Sequence, residues 1–562
     1  MDNRRIFMAI ALMMVIAVVP SLLLKRPNRA VAPALRDSVA AAPAPAAPPV
    51  VAPPAPTLND SQSVAEDSVT VTTPLARYFV STRGGRLVGI ELGNYRVVQT
   101  SGTTERPVNL VRPSSALLGL TLIRGRDTLP LSECSLTPSA SALQVSSGPT
   151  PLTLRGECRG TGLELTYTFL PDDYQVGVRG RITGLDANGG QLVLGLGDGL
   201  PNTEADSVDN FRHAALVTKQ TDAERHDFAG FEPGQIQTFS GPFEWAAIKS
   251  KYFVEGVIAF DSAGGRLSGV DAAVPANAGK RPTGAHVRAY MPVGANGELA
   301  YTLYAGPMEY HRLSRIGHDF DDVNPYGWPG FRTLIRFFAV PVRWLLVWMH
   351  ESLGLGYGLV LIAFGILVRL VLWPLNQKAM RSATAMQAIQ PQLQAIQQKY
   401  KPEPQRLQQE MMKLYKEHNV NPFGGCWPML LPMPVLFALF FVLGNTIELR
   451  GVPFLWFPDL SRPDALYIIP VLSGISMFAL SKLSQRGIEY TPQTEAQAKM
   501  MLYFMPVMIT FFGLQFASGL NLYWTVSNLA SLPQQWLISR ERMKGKGQPP
   551  KPVEKKKAKK AG

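Results

Sequence analysis

The sequence predicts a multi-domain α+β membrane protein: six transmembrane helices, one N-terminal plus a five-helix core, with a β-sandwich outside and a cytoplasmic helical hairpin. Three observations predict it. Charge-poor apolar runs recur at lengths that cross a ~30 Å hydrocarbon core. Between the first run and the rest lies a long stretch of short alternating segments punctuated by Gly, Pro, Asn and Asp, the pattern of many strands. Lys and Arg gather in the segment 376–421 and in the tail, which orients the chain by the excess of positive charge left inside.

Length and composition set the bounds. At 562 residues the chain is too long for one core, and 17% charged with 46% hydrophobic residues suits a mixture of membrane and soluble parts. The net charge of +13 is uneven: residues 539–562 hold ten Lys or Arg against Glu541 and Glu554. Such a tail attracts anionic lipids or a nucleic-acid-rich partner such as a ribosome. Three cysteines make no disulfide scaffold. No metal-spaced His/Cys cluster, phosphate loop or catalytic constellation is present, so no cofactor, metal or catalytic residue is assigned.

Taken in order, residues 1–25 read as an uncleaved transmembrane anchor, because the apolar run 6–24 is longer than a signal-peptide core. Ala30-Val31-Ala32 offers a cleavage site as the alternative. Residues 26–58, rich in Ala and Pro, cannot bury a core and form a semi-extended linker. Residues 59–325 form the β-sandwich. Residues 163–169 alternate through a full strand, and 252–260, 286–290 and 299–304 are strand-like. His213 and His286 are isolated and read as structural, and Asp172-Asp173 as a solvated turn. Cys134 and Cys158 share this domain, but spacing does not decide whether they pair.

Residues 331–350 are apolar but interrupted by Arg332, Arg336 and Arg343; with Trp344 and Trp348 they form an interfacial amphipathic helix. Transmembrane segment 2, residues 357–375, carries Arg369. Residues 376–421 make the cytoplasmic hairpin, broken at Pro402 and Pro404, with Ile389, Leu393 and Ile396 facing Leu407, Met411 and Leu414. Its cations include Lys399, Lys401, Arg406 and Lys413. Spans follow at 426–447, 465–482, 500–516 and 519–538, before the basic cytoplasmic tail 539–562. Both termini are then cytoplasmic.

An arginine at the centre of a spanning helix costs about 2.5–3.5 kcal/mol on insertion scales. Arg369 either snorkels to headgroups or serves a polar cavity. The last span is unusually polar, with Asn521, Trp524, Thr525, Ser527 and Asn528, and Thr510 and Gln515 add to the span before it. No acid lies in the five C-terminal spans. An unpaired guanidinium in hydrocarbon requires water or substrate, so these residues predict a hydrated groove open to the cytoplasm.

Several motifs then coincide: Tyr304-Ala305-Gly306-Pro307; Val368-Arg369-Leu370 with Trp373-Pro374-Leu375; and Gln408-Gln409-Glu410-Met411-Met412-Lys413-Leu414-Tyr415. Asn421-Pro422-Phe423-Gly424-Gly425-Cys426-Trp427-Pro428, Phe516-Ala517-Ser518-Gly519-Leu520 and Val526-Ser527-Asn528 complete the series. In this order the chain resembles the YidC membrane protein insertases of Gram-negative bacteria. It differs from the family's usual residues at Gly365, Trp524, Pro432 and Met308. The resemblance implies a periplasmic β-supersandwich and a non-enzymatic insertase and chaperone of the inner membrane. It further implies that nascent inner-membrane proteins are received alone or with the Sec translocon and its accessory subunits. Two other classes fit an odd membrane arginine or a sandwich domain: a small-molecule transporter or channel, and a membrane-tethered carbohydrate-binding protein.

Overall fold

The computed structural model describes residues 68–99, 102–113, 115–259, 266–279, 281–327, 331–418, 433–488, 490 and 492–545. The anchor 1–25, the linker 26–58, the start of the span 426–447 with Cys426 and Pro432, and the tail beyond residue 545 lie outside them.

Alternating apolar residues build a β-rich domain of three sheets. A nine-stranded sheet runs Ala223–Asp227, Ala215–Lys219, Trp245–Lys249, Phe253–Ile258, Glu298–Pro307, Gln175–Ile182, Thr161–Phe169, Thr150–Cys158 and Thr137–Pro138. A six-stranded sheet runs Ile236–Phe243, Leu267–Ala273, His286–Val293, Gly190–Gly195, Gly119–Arg124 and Asp127–Pro130. A five-stranded sheet runs Gly102–Asn109, Leu87–Gln99, Ala76–Ser81, Ser68–Thr72 and Ala142–Gln144, the last pair parallel. One contiguous core joins all three. In Thr161–Phe169 every second residue is buried, including Leu163, Leu165, Tyr167 and Phe169, because a strand sends successive side chains to opposite faces. Phe253–Ile258 is buried on both faces and lies mid-sheet. Glycine is required at Gly306: a Cβ there would come within 2.8 Å of the Tyr174 ring.

Cys134 and Cys158 form a disulfide with Cα atoms 5.4 Å apart, inside the range a bridge tolerates. Such bonds persist in oxidising compartments. His213 is structural: its Nδ1 lies 2.9 Å from the Asp209 carbonyl. Burial, reinforced by the nearby Lys249, pushes its pKa down to about 4, so it is neutral at pH 7. His286 pairs with Asp198 at 2.9 Å.

Eleven helices are described: α1 Ser207–Arg212, α2 Tyr310–Ile316, α3 Arg332–Leu353, α4 Tyr357–Ala388, α5 Gln390–Lys399 and α6 Pro404–Glu417. They continue with α7 Met433–Asn445, α8 Ile468–Ser484, α9 Pro492–Lys499, α10 Met505–Gly513 and α11 Ser518–Gly545. A π-helical turn, Met500–Phe504, carries α9 into α10. By length and composition one described helix, over Tyr357–Ser382, can cross a membrane, against the six expected; Val435–Gly444 and Ile468–Ser484 are apolar but shorter.

The helix bearing Arg369 does not stop at Leu375. It runs through Pro374 to Ala388, so the expected start of the hairpin at residue 376 falls inside α4. Proline removes one amide bond and bends a helix, but it does not oblige the helix to end. Beyond it α5 and α6 pair through Ile389 and Leu414, with Leu393, Ile396 and Tyr415 against them. Helix α3 has two faces. Leu334, Phe337, Trp344 and Trp348 are exposed, with the two indoles stacked 6.3 Å apart. Arg336 pairs with Asp321 and Asp322, and Arg343 is buried on Glu448 at 2.9 Å and the Tyr326 hydroxyl at 2.7 Å. Two of the arginines that break the apolar pattern, Arg336 and Arg343, therefore pair with acids.

The loop after α7 docks on the β-domain. Ile447 joins the sandwich core. Arg450, only 5% exposed, meets Glu204 at 2.8 Å, donates to the Arg96 and Thr203 carbonyls, and lies over the Phe253 ring at 5.4 Å.

Two outcomes test this architecture. Replacing Cys134 and Cys158 by Ser lowers β-domain stability by about 3 kcal/mol, as expected for a loop of 24 residues, and reductant abolishes the difference from the wild type in chemical denaturation. Arg450→Ala leaves Glu204 buried without its cation and lowers the full chain's stability by about 3–5 kcal/mol, read as a fall in melting temperature.

Candidate functional site

Helix α4 begins at Tyr357, and Arg369 lies twelve residues on, about 18 Å along the axis. Its neighbours Ile366, Leu367, Leu370 and Val371 are exposed and apolar. One turn before it, Gly365 sets the geometry. A Cβ there would lie 3.3 Å from Val526 and 3.5 Å from the Tyr523 ring, so the glycine lets α4 and α11 cross closely. Phe364 packs on Tyr523 at 5.9 Å between ring centroids. The side chain of Arg369 then crosses the interface, and its Nε donates to Ser527 Oγ at 2.7 Å. Two turns further along α11, the Gln534 amide donates to the Trp373 carbonyl at 2.9 Å.

Arg369 is half-buried and points at α11, along the helix interface rather than toward a helix end. A guanidinium has five N–H donors. One serves Ser527; among the described residues Tyr523 is the ionisable side chain beside it, and no carboxylate pairs with it. The remaining donors call for water or for a polar guest.

The other expected groove residues sort onto a second face of α11 or away from it. Asn521 is fully buried and donates to the Gly513 carbonyl at 2.8 Å, closing the end of α10. Thr525 donates back to the Asn521 carbonyl at 2.8 Å, and Asn528 donates to Ser476 on α8 at 3.1 Å. Thr510 donates to the Pro506 carbonyl at 2.9 Å and abuts Gly474. Gln515 is exposed in the turn between α10 and α11, and Trp524 is half-buried. Of the set, Ser527 alone touches Arg369. Residues 521 and 528 are seven apart and face α10 and α8, whereas 523, 527 and 534 face α4; composition had merged two stripes into one.

The hairpin cations are exposed. Arg406 pairs with Glu403 at 2.8 Å, Lys413 lies 4.0 Å from Glu410, Lys399 sits over the Tyr400 ring, and Lys401 is in the turn. Arg369 and Ala388 are separated by about 28 Å of helix, so these cations form a separate surface. No group of three or more His, Cys, Asp or Glu among the described residues is placed to hold a metal.

The residues that sequence reasoning missed are Arg343, Glu448, Arg450 and Glu204. A signal existed: Glu448 is the first charge after the uncharged run 419–447, and Arg343 interrupts an apolar helix as Arg369 does.

An apolar helical region holding a guanidinium without an acid, joined to a large β-rich domain, defines a membrane protein with an extramembrane β-domain. Residues 68–345 match the family described as YidC periplasmic domain, and residues 348–546 match the family described as 60Kd inner membrane protein. The chain is 31% identical to the membrane protein insertase YidC of Janthinobacterium sp. (strain Marseille) over 84% of each chain. It is 33% identical to that of Ralstonia nicotianae over 85% of this chain and 84% of the relative. The chain therefore belongs to the YidC family of membrane protein insertases, proteins of the inner membrane. Among solved structures, a galactose mutarotase-like protein from Lactobacillus casei covers 43% of this chain and 99% of its own at 12% identity, with a TM-score of 0.28, too distant to bear on activity.

Replacing Gly365 by Leu forces α4 and α11 apart against Val526 and Tyr523. The expected cost is about 1–3 kcal/mol, seen as a lower melting temperature of the purified chain in detergent.

Proposed function

We propose that this chain inserts inner-membrane proteins, and helps them fold, through a hydrated groove open to the cytoplasm and centred on Arg369. The observation that carries the reading is the 2.7 Å bond from Arg369 to Ser527, which holds, midway along an apolar helix, a guanidinium that no acid among the described residues pairs with and that has donors to spare. In this reading a nascent segment slides along the apolar faces of the core while its polar flank is held at Arg369. That shortens its path across hydrocarbon. No bond is made or broken. Apolar burial drives the step, and the membrane potential helps acidic segments across.

The finer organisation belongs to the same reading: six spans, both termini in the cytoplasm, and a periplasmic supersandwich. The hairpin with Lys399, Lys401, Arg406 and Lys413 receives the segment. The basic tail meets ribosomes and anionic lipids, and the chain works alone or with the Sec translocon. The apolar exposed face of α3, and the outward Val471, Ile475, Val507 and Phe511 on α8 and α10, support a lipid environment around the core.

The test follows insertion of a small membrane protein with an acidic translocated tail in cells depleted of the native insertase. Arg369→Ala lowers its rate about tenfold or more, the loss expected when a charged hydrogen bond worth about 1.5–3 kcal/mol is removed. Arg369→Glu lowers it further and Arg369→Lys retains part of it. Insertion at wild-type rate in both Ala and Glu variants sinks the proposal.

A further inference from the structure

At the end of the helical region away from the docked β-domain, α8 and α11 diverge around a cleft of about 640 Å³. Its walls are Ala479, Lys482 and Leu483 from α8 with Arg486 from the turn that follows it, and Leu529, Leu532, Pro533 and Trp536 from α11. The cleft is framed by two pins. Asn528 bonds Ser476 above it at 3.1 Å, and Arg542 bonds the Ser484 and Arg486 carbonyls below it at 2.8 and 3.1 Å.

The charge in this frame is one-sided. Lys482, in the last turn of α8, and Arg486, just beyond its end, are exposed, and neither pairs with a carboxylate among the described residues. Helix α8 carries no acid, and the single acid of α11, Glu541, pairs with Arg381 at 3.3 Å. Like charges at this spacing repel unless an anion joins them. The rest of the lining is apolar, and Leu529 and Trp536 open onto the exposed face, 50% and 46% accessible. Arg540 lies over the Trp536 ring at 5.3 Å, so the indole sits between the apolar slot and the cations, as it does at a membrane interface.

We propose that this cleft is a binding site for an acidic glycerophospholipid. The phosphodiester lies between Lys482 and Arg486, and one acyl chain runs along Leu529, Leu532 and Pro533. A basic pocket between helices at the membrane edge is the arrangement that selects anionic headgroups. The site needs only the membrane location that family membership carries; its failure leaves the Arg369 reading untouched.

The purified full chain in neutral detergent is given phosphatidylglycerol or phosphatidylcholine, and bound lipid is counted by native mass spectrometry. The wild type retains phosphatidylglycerol in preference. Lys482→Gln with Arg486→Gln lowers that retention about tenfold or more. Lys482→Arg with Arg486→Lys retains it. Leu532→Trp, which fills the slot and leaves both charges, also lowers it, so the result does not hang on how the double Gln variant folds. Quenching of tryptophan fluorescence by bromine-labelled phosphatidylglycerol falls in Trp536→Phe. Equal retention of the two lipids, unchanged retention in the double Gln or Leu532→Trp variant, or displacement of the lipid by an equal concentration of inorganic phosphate overturns the proposal.

Discussion

The close crossing of α4 and α11 at Gly365 is the constraint on which the candidate site depends. Two helices that carry side chains at every contact stay 8–10 Å apart. A glycine facing Tyr523 and Val526 lets the backbones come nearer, and small residues serve this role in membranes, where no hydrophobic force draws helices together. Only at that approach does a guanidinium one turn on reach a serine hydroxyl across the interface. Membership of the YidC insertases gives this contact its setting in the inner membrane.

A second set of cations does different work. Arg343 and Arg450 are nearly fully buried, each on a glutamate and each with further hydrogen bonds, and between them they tie α3, the loop after α7 and the β-domain into one unit. Buried ion pairs add little net stability, since desolvation offsets attraction. What they add is discrimination: any other docking angle strands a charge. Among the described residues Arg369 has no such partner, and that contrast separates a structural arginine from one with donors to spare.

Much of the fold was legible. Strict alternation over 163–169 announced a one-sided strand, and Thr161–Phe169 is one. The strands Trp245–Lys249 and Ala215–Lys219 were not read, because burial on both faces erases alternation and leaves a short apolar run of no clear period. The end of the Arg369 helix was misplaced because proline and charge mark where a membrane ends, not where a helix does. The polarity of the last span was evident, but whether Asn528 meets Arg369 or Ser476 depends on how two helices cross, and no sequence period encodes that. The cysteine pair was undecided for a like reason: only the register of Thr150–Cys158 against its neighbours brings residue 158 beside 134.

Helix α4 continues unbroken from the Arg369 contact to the root of the hairpin, but a joint lies between the two. Its weakest point is Pro374, about 7.5 Å from Arg369 and about 21 Å from Ala388. A bend of about 10° there carries Ala388 by about 4 Å while the Arg369–Ser527 contact on the other side of the proline stays made, so the hairpin root can shift without disturbing that contact.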